Sequence, residues 1–171
     1  MENREEKVLF NATVSFLSRP DEILLGMKTR KIGMGCWNGY GGGIEKGETE
    51  QEAAVRECSE EMSVVIDPKD LEKVAIVHFH NTKSDGSKFT LTVHFYLAHK
   101  WKGEVKETEE MITPTWFKKT ELPEKMMPAD KEWLPIALSG KKMIVHAYLS
   151  PFQQESLAPV EIEYVDSLPE N

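Results

Sequence analysis

Apolar positions recur along this chain in two rhythms. Alternation with a period of two runs through Val8 to Leu17 and Glu22 to Met27, with a turn at Arg19-Pro20-Asp21 between them. The same pattern marks Lys73 to Asn81 and Lys88 to His99, a hairpin turning at Ser84-Asp85-Gly86-Ser87. Thr113 to Phe117 reads as a short strand, and Lys142 to Leu149 with Val160 to Val165 as a closing hairpin. A helical period replaces alternation from Thr49 to about Val64, and again over Asp130 to Ser139, where Pro135 is expected to bend the helix. The order predicts an α/β protein with a mixed sheet flanked by helices.

The first helix carries the chemistry. With Glu57 as origin and about 100° per residue, Glu60 falls near −60° and Glu61 near +40°, so the three acids share one arc. Ala54, Val55, Cys58 and Met62 form an apolar stripe beside that arc. Glu52, Arg56, Ser59 and Ser63 take the solvent side, and Thr49 with Glu52 makes a capping box. The acids therefore sit at the edge of the core, where unpaired charge is costly. Ala53, inside the acidic arc, leaves room for an ion. A solvated acidic face is the ordinary reading of such a run, but the preceding glycines argue for a metal site and for phosphate chemistry.

Those glycines cluster between Gly33 and Gly47, interleaved with Trp37, Tyr40 and Ile44, which a flexible linker would lack. A P-loop is excluded because Glu48 stands where its lysine belongs, and no GxGxxG follows a strand.

The stretch from Gly42 through Glu48 to Arg56-Glu57-Cys58-Ser59-Glu60-Glu61 resembles the Nudix box, GX5EX7REUXEEXGU. Every charged position matches; Ser63 stands where the family usually has the glycine that ends the helix. The resemblance implies the Nudix α/β/α sandwich as one domain over residues 1–171, with a core over about 8–166. Outside the box, Leu24 to Arg30, Gly35 to Gly42 and Met127 to Pro135 are similar to the MutT-homologue oxidised-purine nucleoside triphosphatases, whose best-known substrate is 8-oxo-dGTP.

That similarity implies Asn38 as a base-reading amide, Thr13 as a pocket residue on the first strand and Asp130 as one of two acids facing the purine. Turn formation by Asn38-Gly39 and helix capping by Asp130 are the competing structural roles. Ala129 replaces the other acid and Met127 the tryptophan that stacks on the base, which points to an altered purine triphosphate. Phe79 lines the pocket if strand alternation holds, and Lys28 and Arg30 are candidates for phosphate contact.

Octahedral oxygen coordination makes Mg²⁺ the expected cofactor, with Mn²⁺ as a substitute. Glu57 and Glu61 are the leading ligands, joined by Glu60 and the Gly41 carbonyl. The family also uses a later loop acid, for which Glu110 is the candidate, with Glu107 and Glu109 nearby. Glu57, Glu60 and Glu110 are the candidate catalytic acids; Arg56 is expected to orient Glu48 or Glu60. The implied reaction converts a nucleoside triphosphate to monophosphate and pyrophosphate. ADP-ribose, a nucleotide sugar or a dinucleotide is the alternative substrate, and a noncatalytic nucleotide sensor the third reading.

The 171 residues, 40% hydrophobic and 29% charged, suit one globular domain. A net charge of −8 argues against nucleic acid as a partner. No run approaches a membrane span, Met1 to Lys7 is no signal peptide, and Cys36 and Cys58 make no disulfide framework. A cytoplasmic monomer is expected. His78, His80 and His94 could face one another across a hairpin, but a zinc site would lack a fourth ligand.

Overall fold

A computed structural model describes residues 8–170, and the expectation for Met1 to Lys7 lies outside them. The strands are β1 (Asn11–Leu17), β2 (Glu22–Lys28), β3 (Trp37–Asn38), β4 (Tyr40–Gly43), β5 (Leu71–Thr82), β6 (Lys88–Ala98), β7 (Met111–Lys118), β8 (Lys142–Leu149) and β9 (Glu161–Val165). The helices are α1 (Glu50–Met62) and α2 (Pro128–Leu138). Six strands form a mixed sheet in the order β4-β1-β6-β5-β8-β9, and β3-β2-β7 form a second sheet.

Within the large sheet, β1 runs parallel to β6 and β5 parallel to β8, while the β5–β6 and β8–β9 hairpins are antiparallel. Both hairpins were legible in the alternation. The Arg19-Pro20-Asp21 turn behaves differently. A single bridge, Ser18 to Ile23, follows it, and then β1 and β2 diverge into different sheets. The first strand also begins at Asn11 rather than Val8.

Alternation along β1 divides the core. Ala12 and Phe16 join Val77, Phe79 and Phe95 on the face that packs against Trp133, Leu134 and Ala137 of α2. Leu17 joins Leu71 and Tyr96 on the opposite face, against Ala54, Cys58 and Met62 of α1. Helices on both faces make the α/β/α sandwich. Fully burying a side chain such as Trp133 or Met62 contributes about 1.5–3 kcal/mol. The second helix runs on through Pro135, ending at Leu138.

The first helix starts as its sequence dictates: Thr49 Oγ1 accepts the Glu52 N–H at 3.1 Å. It ends on Ser63 in the left-handed region, φ 63° and ψ 30°, with the Ser63 N–H donating to Ser59 O. A side chain thus occupies a conformation that glycine adopts without steric cost.

Candidate active site

The pairing of β1 with β4 and the packing of α1 on both strands build the acidic site. Gly42 lies opposite Thr13, and a Cβ added at Gly42 would stand 2.5 Å from Glu57 Oε1. Only a glycine lets this carboxylate lie against the strand. The Gly41 N–H donates to Glu61 Oε2 at 3.2 Å, tying the preceding residue of β4 to a second acid of the helix.

Arg56 holds the surrounding acids. Its Nε and Nη2 donate to the two oxygens of Glu48 at 2.7 and 3.0 Å, and Nη2 also donates to Gly43 O. Nη1 reaches Glu57 Oε1 at 3.0 Å and Glu60 Oε2 at 3.3 Å. A fork of donors on one planar group suits this bridging as lysine would not. Glu48 meanwhile accepts the Glu45 N–H, which closes the turn ahead of α1.

Burial raises the Glu57 carboxyl above its ordinary range, partly offset by Arg56. Glu61 is pushed up to about 7, first by burial and then by the Glu57 charge, with Glu110 adding to it. Two neighbouring, desolvated carboxylates with only oxygen to offer fit Mg²⁺, a hard cation that binds one or two carboxylates and keeps waters. As the side chains stand, no three His, Cys, Asp or Glu among the described residues are grouped to hold a metal ion. The expected set is therefore only partly assembled. Glu60 leans toward Arg56 and is 60% exposed, at the rim of the acidic site. Glu110 is held by Arg30 and Lys31.

A cleft of about 290 Å³ opens beside these acids, lined by Arg30, Glu60, Glu61, Thr108, Glu109 and Glu110. The later loop thus brings Glu109 and Glu110 to the cleft. Glu107 turns from the loop to β7, accepting the Thr113 N–H at 2.6 Å, with Thr113 at φ 48°. The pairing register of β2 with β7 shifts between Leu25 and Met27.

On the other side of Gly39, three expected pocket residues converge. A Cβ at Gly33 would lie 3.1 Å from Asn38 Nδ2, 3.3 Å from Met127 Sδ and 3.4 Å from Lys28 Cδ. Lys28 also acts on the charge of Glu61, so its side chain links this pocket to the acidic site. Asn38 Nδ2 donates to Cys36 O at 3.0 Å, and Asn38 lies in β3 with no turn at Asn38-Gly39. Asp130 is buried in the first turn of α2, whose N-cap is Met127, so capping is not its task. Instead it accepts from Trp133 Nε1 at 3.1 Å, and burial pushes its carboxyl up to about 7. Cys36 lies within electrostatic reach of Asp130 and Lys131.

Two expected pocket residues lie elsewhere. Thr13 is fully buried, and its pairing with Gly42 puts its side chain on the Glu57 side of the sheet, with Ser15 and Leu17. Counting alternation from Phe16, which packs toward α2, places Thr13 on the opposite face. Phe79 faces the α2 side but is core, its ring centroid 6.4 Å from that of Phe95. Sequence reasoning missed Lys31, Trp133 and Tyr40; the closely spaced Gly33 and Gly35 were the one signal that the loop around Lys31 is tightly wound.

The histidines form a hydrogen-bonded row. His80 Nε2 meets His146 Nδ1 at 2.9 Å, and His78 and His80 bond Thr92 and Thr90. His94 turns away to Lys73 Nζ, 3.1 Å from its Nδ1.

A pair of half-buried glutamates against a glycine strand, one of them braced by an arginine, inside an α/β/α sandwich, defines the chain's class: it belongs to the Nudix family. The profile of the NUDIX domain matches residues 9–136. The chain is a hydrolase of phosphoric anhydrides. It is 35% identical over 156 residues to the "Oxidized purine nucleoside triphosphate hydrolase" of Mus musculus, covering 91% of this chain and 95% of that protein. A Danio rerio protein of the same name is 36% identical over 133 residues, covering 77% of this chain and 81% of its own. Among solved structures, a MutT protein from Bacillus halodurans superposes with a TM-score of 0.75 at 24% identity, covering 91% of this chain and 98% of that one. That last likeness concerns the fold alone.

Proposed function

We propose that this chain is a Mg²⁺-dependent pyrophosphohydrolase that converts oxidised or otherwise modified purine nucleoside triphosphates, such as 8-oxo-dGTP, to monophosphate and pyrophosphate. It acts as one domain, a monomer in the cytoplasm, sanitising the nucleotide pool. The names of the mouse and zebrafish relatives support the substrate class. The observation that carries the reading is Lys28, whose stem lies with Asn38 and Met127 around Gly33 while its charge acts on Glu61. A base held at Asn38, Met127 and Asp130 then has its phosphates directed over Lys28 toward the acids.

Glu57 and Glu61 would hold the divalent ion, which supplies charge neutralisation and a more acidic water when bound. Arg56 keeps Glu48 and Glu57 in place. Asn38 and Asp130 offer hydrogen-bond partners to a purine edge, and Met127 an adaptable apolar wall. Ala129, fully buried, leaves Asp130 as the one acid of that pair. The test is pyrophosphate release from canonical, oxidised and methylated purine triphosphates, with ADP-ribose, nucleotide sugars and dinucleotides alongside. A preference for ADP-ribose or a dinucleotide over every triphosphate would overturn the proposal.

A further inference from the structure

Glu110 is held by more cationic donors than any other acid of the cleft. Arg30 Nε and Nη2 and Lys31 Nζ all reach its Oε1, each at 3.0 Å. The local fold imposes this arrangement. Lys28 pairs with Met111, and the Thr29 N–H donates to Glu110 O at 3.0 Å, so the end of β2 is stitched to the start of β7. The chain then winds through Lys31 at φ 65°, Gly33 at 89° and Gly35 at 81°. Both cations are delivered onto one carboxylate.

The three donors oppose what the neighbourhood would otherwise demand. Glu61 and Glu110 repel each other, and Glu60 and Glu109 also line the cleft. Arg30 and Lys31 satisfy Glu110 without a metal ion. Their side chains are 53% and 59% exposed, so both can swing away at little cost in packing. A polyphosphate offers more charge and more acceptor oxygens than one carboxylate, and a guanidinium matches phosphate with a two-pronged contact. Once the cations move to phosphate, Glu110 stands uncompensated beside Glu61, and the cleft requires a divalent ion.

We propose that Arg30 and Lys31 are positioning residues that neutralise Glu110 in the free enzyme and pass to the polyphosphate on binding, so that nucleotide capture makes Glu110 available to the divalent ion. This rests on the hydrolase reading above and deepens it. The enzyme assembles its full set of acids only around its substrate. Coupling is reciprocal, so each partner of the hand-over restrains the other's ligand.

Two binding measurements test it on the full chain, each with one ligand alone. The first is Mn²⁺ binding to nucleotide-free protein, followed by electron paramagnetic resonance. Arg30→Gln/Lys31→Gln should bind Mn²⁺ on the order of tenfold more tightly than the native chain. Adding Glu110→Gln should abolish that gain, and Lys83→Gln/Lys88→Gln on the distant β5–β6 turn should not reproduce it. The second is calorimetry with inorganic tripolyphosphate and no metal, for which Glu110→Gln should bind several-fold more tightly. Lys31→Gln alone is the milder variant should the double fold poorly, and circular dichroism checks each. Unchanged Mn²⁺ affinity in the double variant, or unchanged tripolyphosphate affinity in Glu110→Gln, overturns the hand-over. Neither measurement involves a base, so absent oxidised-purine hydrolysis would count against the substrate reading alone.

Discussion

Replacing Ser63 by glycine should stabilise this protein, although the change removes atoms and adds no contact. Ser63 closes α1 at φ 63° and ψ 30°, its N–H donating to Ser59 O. An L-residue in that region costs about 1–2 kcal/mol relative to the right-handed one. Glycine escapes that cost but gives the unfolded chain more freedom, returning roughly 0.5–1 kcal/mol. The Ser63 side chain is exposed, so truncation forfeits no burial. The net gain is then about 0.5–1 kcal/mol, and at roughly 2–4 °C per kcal/mol for a chain of this size the midpoint should rise by about 1–4 °C. Urea and thermal unfolding of Ser63→Gly against the native chain measure it. A lower midpoint, or an unchanged one with an unchanged m value, would refute the argument that the cap is strained. Turnover should stay within about twofold, because the acids of α1 precede the cap and the helix geometry is kept.

Other perturbations bear on the site itself. Glu57→Gln should lower turnover by at least about a hundredfold while the circular dichroism spectrum is kept; near-native turnover would remove Glu57 from the mechanism. Tyr40→Phe should stabilise by about 1 kcal/mol, since the buried Tyr40 hydroxyl has no hydrogen-bond partner; a destabilised variant in chemical denaturation would show that the hydroxyl is satisfied. Asp130 has its folded pKa raised to about 7 from an ordinary 3.8, so the folded state binds its proton more tightly than the unfolded. Its contribution should therefore favour folding at low pH and fade as pH rises from about 4 to 7, with a slope of at most about 1.4 kcal/mol per unit. Asp130→Asn should flatten the metal-free stability profile over that range; an unaltered profile would mean that Asp130 stays charged.

The acidic helix was legible because everything it needs is local. Thr49, the apolar stripe and the glutamates are related by helical spacing alone, and α1 forms with Ala54, Cys58 and Met62 buried as that spacing requires. The β5–β6 and β8–β9 hairpins were legible for the same reason, since alternation and a turn specify them together. By contrast, β3 and β4 are only two and four residues long, and β4 is mostly glycine and pairs back to β1, so no periodicity announces them.

By itself, then, the order of residues determined which side chains share a helix face and where that helix begins. Only the tertiary structure decided which sheet each strand joins, sending β2 away from β1 after a turn that resembles a hairpin. It also decided that Thr13 faces Glu57, that Asp130 answers Trp133 and that Glu110 meets Arg30 and Lys31. The physical reason is range. Helical angles are set by neighbours three and four residues away, whereas Arg30 and Glu110 lie 80 positions apart and meet only because β2 and β7 pair.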